Sequence, residues 1–130
     1  MKILEHQPMF EMANIVKDIT GLPFNIWIDS EGKDRNIGHS SMRIKIRYGG
    51  KEISISFYGE PKIESGEQYL SEFGKQKVNE VIKYVKKHIV LFTSHWNHDI
   101  DDIRFGFAVN LLRHNLEMSD EEAMKLAKEM

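Results

Sequence analysis

The segment from Ser41 to Tyr58 constrains the fold more than any other part of the chain, because its residues alternate between an apolar and a polar set. This alternation predicts strands with one buried face. Gly49 and Gly50 stand midway and suit a two-residue primed turn, which places Tyr48 opposite Lys51 and both apolar sets on one side. The segment therefore predicts a β-hairpin. Its apolar face consists of Met42, Ile44, Ile46, Ile53, Ile55 and Phe57.

The flanking patterns predict an α+β fold. A helix is expected from about Pro8 to Thr20, followed by a strand near 24–29 in which apolar and polar residues alternate. A short edge strand is expected at Lys62 to Glu64. From Ser71 to Trp96 the apolar spacing is helical and predicts one long amphipathic helix. We expect a small antiparallel sheet of three strands, with a fourth short edge strand left open, covered on one face by this helix.

The C-terminal part of the chain predicts a pair of helices. A helical pattern runs from Ile100 to Leu112, and Ser119 with Glu122 forms a capping box at the start of the last helix. These patterns divide the chain into an α+β core over residues 1–98 and a helical extension over residues 99–130, packed on the same domain.

Composition excludes several classes of site. The chain of 130 residues contains no cysteine, which excludes disulfides, thiol nucleophiles and cysteine-based zinc sites. The first residues carry charges and a proline where a signal peptide would need an apolar run, and no stretch is apolar enough for a membrane span. These features predict a cytoplasmic protein without membrane contact.

The charge of the chain is segregated although its net value is only -2. Between Lys33 and Lys51 there are six basic residues against one acidic residue, whereas the C-terminal part is acidic. The polar face of the hairpin is consequently basic and predicts a binding surface for single-stranded nucleic acid or for an acidic protein. The alternative is a solvated face with an Arg47–Glu52 cross-strand pair. The candidate binding residues are Arg43, Lys45, Arg47, Ser54 and Ser56, with Trp27 and Tyr58 nearby and His39 before the hairpin.

The sequence SHWNHDIDD offers a second candidate site. On a continuous helix, histidine and carboxylate side chains would lie near one face and could hold Zn²⁺ or Mn²⁺. A helix junction in which Asn97 or Asp99 caps the next helix explains the same residues without a metal. The candidate ligands are His95, His98, Asp99 and Asp102.

Catalytic motifs are lacking in the sequence. It contains no G-x-S-x-G elbow, no glycine-rich phosphate loop and no H-E-x-x-H. His39 beside two serines is the one local pairing of a base with a nucleophile, and adjacency alone does not form a catalytic triad. His6, His88 and His114 are interpreted as surface residues. The sequence predicts a non-enzyme without a cofactor.

The order of elements resembles a known family. His39 in GHSS, the strand RIKIRYGG, its partner KEISIS and the helix ending in SHWN follow one another over about residues 24–98. In this order they resemble small bacterial proteins of the domain-of-unknown-function family 4160. Arg43 and Lys45 replace two strand histidines of that pattern, and Ser40 and Ser41 replace its two loop prolines, so no metal or acid-base role is carried over. The resemblance implies a bacterial or phage origin and a toxin-antitoxin-like context.

Together these features predict a non-catalytic cytoplasmic module that binds a macromolecule through the basic face. The partner is a nucleic acid or a protein, and the sequence does not distinguish them. One alternative is an inhibitor or antitoxin-like protein that binds a protein target through its C-terminal helices. The other is a metal-binding protein that uses the His and Asp residues of SHWNHDIDD.

Overall fold

Five antiparallel strands form one sheet in the computed structural model, which describes residues 13–15, 17–28 and 42–130. The strands follow one another across the sheet in chain order. The predicted α+β class is confirmed, and the sheet has one strand more than the largest number expected. The strands are β1 (Ala13–Ile15), β2 (Ile26–Ile28), β3 (Arg43–Tyr48), β4 (Lys51–Ser56) and β5 (Lys62–Ser65).

The hairpin of β3 and β4 forms the centre of the sheet, and its predicted register is confirmed. Gly49 and Gly50 have φ angles of 58° and 79°, and a primed two-residue turn needs positive φ at both positions. The isoleucines of both strands are fully buried on one face, as the alternation indicated. The pairs are Tyr48 with Lys51, Ile46 with Ile53 and Ile44 with Ile55.

The N-terminal helix predicted from Pro8 to Thr20 is wrong in its middle part. Residues 13–15 form β1, and Lys17–Thr20 is a single helical turn, α1. The first residues of that predicted helix, 8–12, lie outside the described residues. Ile15 is buried opposite Ile26 of β2, and a β-branched side chain suits such a paired, half-covered position better than a helix.

The single helix predicted from Ser71 to Trp96 is divided into three. Gly74, with a φ of 96°, ends the first helix, and His88, with φ −111° and ψ 34°, separates the other two. The cover of the sheet is nevertheless as predicted, because the buried side chains of these helices join the hairpin isoleucines in one apolar cluster. The helices are α2 (Leu70–Phe73), α3 (Lys75–Lys87) and α4 (Ile89–Trp96).

The two C-terminal helices are α5 (Asp102–His114) and α6 (Asp120–Lys128). The capping box predicted at Ser119 is present and starts α6. Phe105 and Ala123, one from each helix, are fully buried in the same cluster as the sheet. Within the described ranges, no helix has both the length and the apolar composition needed to cross a membrane.

Asp120, in the first turn of α6, is buried and connects that helix to the break at His88. Its Oδ1 accepts the Nδ1–H of His88 at 2.7 Å, and its Oδ2 accepts the backbone N–H of Leu91 at 3.2 Å. The carboxylate therefore caps the start of α4 from another element. His88 also packs its ring against Tyr84, with centroids 4.7 Å apart. The prediction that His88 is a surface residue is wrong, because the histidine is the buried partner of this carboxylate.

Gly66→Ala should destabilise the protein much more than Gly59→Ala. Both glycines have similar positive φ angles, 90° and 87°, so the backbone strain of an alanine is similar, roughly 1–2 kcal/mol. A Cβ on Gly66 would lie 2.4 Å from the carbonyl oxygen of Glu52, whereas no atom of the described residues lies within 4 Å of a Cβ on Gly59. This clash should add about 1–3 kcal/mol. Urea unfolding of both variants measures the difference, and equal losses would contradict this close approach to β4.

Alkaline pH should destabilise the protein through Tyr84. Burial, with the charge of Asp120 as the second cause, raises the pKa of the Tyr84 hydroxyl far above its ordinary value. The unfolded chain loses this proton near pH 10, on the order of the ordinary tyrosine value, while the folded protein keeps it. The free energy of unfolding should therefore fall by about 1.4 kcal/mol per pH unit above that point. Tyr84→Phe should remove this part of the loss.

Urea unfolding between about pH 9 and pH 11 measures the alkaline effect across the ordinary tyrosine pKa. Tyr58→Phe is the matched control, because it removes the hydroxyl of an exposed tyrosine. We expect Tyr58→Phe to follow the wild type. A Tyr84→Phe variant that loses stability as steeply as the wild type would exclude Tyr84 as the cause.

Candidate functional site

Three cations of β3 and one tryptophan of β2 form a surface that we call the basic face. Arg43, Lys45 and Arg47 occupy alternate positions of β3, so they lie on the side opposite the buried isoleucines. Trp27 pairs with Lys45 in the β2–β3 register, which places the indole on the same side. Cζ of Arg47 lies 4.6 Å from the centroid of the Trp27 ring. The structure thus brings the predicted aromatic residue into direct contact with a predicted cation.

One carboxylate partly balances the charge of the basic face. Arg47 Nε lies 2.9 Å from Glu52 Oε1, which is the cross-strand pair expected from the sequence, and Lys45 Nζ lies 3.8 Å from Glu52 Oε2. Two cations therefore share one anion. Arg43 has no ion-pair partner within the described part of the chain. Among the described residues the basic face therefore has more cations than anions, and its exposed ion pairs contribute at most about 1 kcal/mol each.

Ser54 and Ser56 lie at the expected positions of β4 but are buried, with exposed fractions of 4% and 8%. Their expected exposure is therefore wrong, and their role in binding stays a prediction. Serine is short, and the neighbouring strands place longer residues opposite: Lys45 faces Ser54, while Arg43 and Lys62 flank Ser56. These hydroxyls lie beneath the surface that a ligand would meet.

The other residues singled out from the sequence are Tyr58 and three histidines. Tyr58 is exposed just beyond β4, and its backbone N–H donates to Ser56 Oγ at 3.3 Å. His39 and His6 lie outside the described residues. His114 is exposed at the end of α5, as expected for a surface residue.

Lys62 is a further cation of this side of the sheet that sequence analysis missed. It pairs with Ser56 across β4 and β5, so its Cβ points to the same side as the basic face. The edge strand itself was predictable from the sequence. The position of Lys62 depends on the register irregularity between Ser54 and Ile55, which the alternation of β5 alone does not show.

A cleft of about 490 Å³ continues the basic face toward the hairpin turn. Trp27 and Arg47 line it from the basic face, and Tyr48, Phe24 and Phe73 line it from the edge of the apolar core. These five residues come from β2, β3, α2 and the loop before β2. Sequence reasoning missed this cleft because no single segment contains enough of it to form a pattern.

Lysines from two further elements stand at the cleft. Lys17 of α1 and Lys77 of α3 are exposed and line it, together with Arg47. Among the described lining side chains Glu72 is the acidic one, and its Oε2 lies 3.3 Å from Lys51 Nζ. The cleft therefore combines aromatic walls with a positively charged rim.

The second candidate site from the sequence consists of one close pair. His95 Nε2 lies 2.6 Å from Asp102 Oδ1, and since a carboxylate only accepts, Nε2 carries the hydrogen. The His95 ring is buried against Phe105 with centroids 4.6 Å apart, and its Nδ1 has no hydrogen-bond partner among the described residues. The pair ties the end of α4 to the start of α5.

The helix is not continuous through this segment. His98 has a φ of 65° between α4 and α5, and Asp101 caps α5 by accepting the backbone N–H of Arg104 at 2.9 Å. The predicted junction between two helices is present, although the residue that caps α5 is Asp101 and not Asn97 or Asp99. Among the described residues, no three His, Asp or Glu side chains come together as a metal site.

The pair of His95 and Asp102 should bind neither Zn²⁺ nor Mn²⁺, so His95→Ala should not change the effect of these metals on the melting temperature. A metal that binds only the folded state would raise it by mass action, and a stable site needs more ligands than His95 and Asp102 supply. Thermal unfolding with and without saturating metal measures this. A rise that His95→Ala removes, while His114→Ala keeps it, would reinstate the metal site.

Comparison with known proteins adds no relative to this site. The chain matches no protein-family model, no curated protein and no solved structure. The resemblance to the domain-of-unknown-function family 4160 therefore stays a prediction from the order of elements. The chemistry of the basic face follows from its own residues.

Proposed function

We propose that this protein is a non-catalytic module that binds single-stranded nucleic acid through the basic face. The observation that carries the proposal is the contact between an aromatic ring and a row of cations on one face of the sheet. Trp27 lies beside Lys45 in the register and 4.6 Å from the Arg47 guanidinium. Proteins that bind single strands combine these two features, since cations meet phosphates and aromatic rings stack on bases.

The aromatic residue favours nucleic acid over an acidic protein partner. Charge complementarity alone would serve an acidic protein surface, and the cations would then suffice. An indole held among the cations adds a surface on which a base of a polynucleotide can stack, whichever base it is. The alternate spacing along β3 repeats the cations along one line, which suits a linear polyanion.

The proposal includes the setting expected from the sequence. We place the protein in the cytoplasm of a bacterium or its phage, where cysteine-free proteins and nucleic-acid partners are both common. The family resemblance supports the origin, and the absence of cysteine is compatible with a reducing compartment.

A protein partner at the C-terminal helices is the second candidate. Ile103 and Phe107, one helical turn apart on α5, have exposed fractions of 68% and 43%. Exposed apolar side chains at this spacing are typical of a helix that contacts another protein. This surface is the expected interface if the basic face has no role in binding.

Replacing the three cations together should weaken binding without unfolding the protein. Arg43→Ala, Lys45→Ala and Arg47→Ala remove exposed or half-exposed charges, which contribute little to stability. Three lost phosphate contacts should flatten the plot of log affinity against log salt by roughly 2 units for a single strand. Fluorescence anisotropy with labelled single-stranded DNA and RNA, over a range of salt concentrations, measures both effects.

A matched control removes three lysines from the opposite side of the molecule. Lys83→Ala, Lys86→Ala and Lys87→Ala change the net charge equally, and these exposed lysines belong to α3, which covers the apolar face. The control should bind like the wild type. Equal losses in both triple variants would indicate unspecific charge attraction. Unchanged binding in the β3 triple variant would refute the basic face as the interface and direct attention to α5.

A further inference from the structure

We propose that the cleft beside Tyr48 is a nucleotide subsite, which takes one aromatic base with its phosphate. The inference deepens the proposed function and rests on it for the longer ligand, because it assigns one nucleotide of that ligand to a defined place. Three observations carry it: an anchored aromatic platform, a rim of lysines on which the described carboxylate, Glu72, is paired with Lys51, and continuity with the basic face.

Tyr48 is the platform. Its exposed fraction is 57%, yet its ring makes edge contacts with two phenylalanine rings. The centroid distances are 6.5 Å to Phe24 and 5.8 Å to Phe73. Those two phenylalanines are buried and contact each other, with ring centroids 5.5 Å apart. A tyrosine held from two sides has already lost its rotamer freedom, so stacking a base on its open side costs little further ordering.

The rim supplies the phosphate contact. Lys17 and Lys77 are exposed at the cleft, and neither has an ion-pair partner within the described ranges. Glu72, an acidic residue that also lines the cleft, forms an ion pair with Lys51, with Oε2 3.3 Å from Nζ. The backbone N–H of Lys17 donates to Asn25 Oδ1 at 2.8 Å, which ties α1 to the segment before β2 and sets the position of this lysine.

The size of the cleft limits its ligand to one nucleotide. Its volume of about 490 Å³ lies in the range of small-molecule sites, and it is too small for a folded macromolecule. Trp27 and Arg47 belong both to the cleft and to the basic face, so a strand bound along β3 can place an end in the cleft. A free mononucleotide has the same base and phosphate chemistry. The experiment must separate these two sources.

The test uses one short single-stranded oligonucleotide in three forms: with a 5′-phosphate, with a 3′-phosphate and without a terminal phosphate. Adenosine monophosphate is the fourth probe and represents the free nucleotide. Isothermal titration calorimetry measures each affinity. We expect one terminal phosphate to strengthen binding several-fold. Tyr48→Val should weaken binding roughly 5- to 100-fold, the range of one lost stacking contact, while Tyr48→Phe should keep it.

The lysine variants test the rim without altering the core. Lys77→Ala should abolish most of the advantage of the terminal phosphate. Lys83→Ala, a lysine on the same helix outside this cleft, should leave that advantage unchanged. Circular dichroism verifies that each variant is folded, and the Lys77→Ala comparison stands even if Tyr48→Val does not fold.

The outcomes separate the subsite from the proposed function. Oligonucleotide binding that depends on the β3 cations but not on Tyr48, Lys77 or a terminal phosphate would overturn the subsite and leave the function standing. Adenosine monophosphate binding that depends on Tyr48, without any oligonucleotide binding, would support the subsite for free nucleotides and overturn the function. The absence of binding to every probe would overturn both.

Discussion

The register of the β3–β4 hairpin is the constraint on which the rest of the structure depends. A shift by one residue would turn the isoleucines to solvent and the cations into the core, at a cost that no other contact could offset. The Gly49–Gly50 turn and the apolar alternation specify the same register, so the core and the basic face are fixed together. The same register ends β3 at Tyr48, which explains why the cleft adjoins the turn.

Asp120 is the corresponding polar constraint in the helical layer. Its two oxygens accept from His88 and from the N–H of Leu91. Helix α6 therefore determines where α3 ends and α4 begins. A buried carboxylate is costly unless its hydrogen bonds are satisfied, and this one is satisfied from two directions. The C-terminal helices thus take part in shaping the layer that covers the sheet.

Local patterns predicted most of the fold, and tertiary contacts account for the failures. The hairpin, β5 and the α6 capping box each depend on residues close in sequence, and each was predictable. Strand β1 has three residues and is a strand only because β2 pairs with it. The break at His88 depends on a side chain 32 positions away, and the cleft joins segments that share no pattern. The basic face was predictable from the alternation of apolar and polar residues along β3. The burial of Ser54 and Ser56 required knowledge of both neighbouring strands.

The ion pair on the basic face is compatible with binding a polyanion. Arg47 lies 2.9 Å from Glu52 while its guanidinium lies over Trp27, so the carboxylate and the ring hold it in one orientation before any ligand arrives. An exposed pair of this kind contributes at most about 1 kcal/mol, so a phosphate can replace the carboxylate at small cost. The arginine then needs little further ordering, because its position over the indole is already set. The single strand of the proposed function would therefore meet an arginine that the ion pair already orients, although the same pair also neutralises part of its charge.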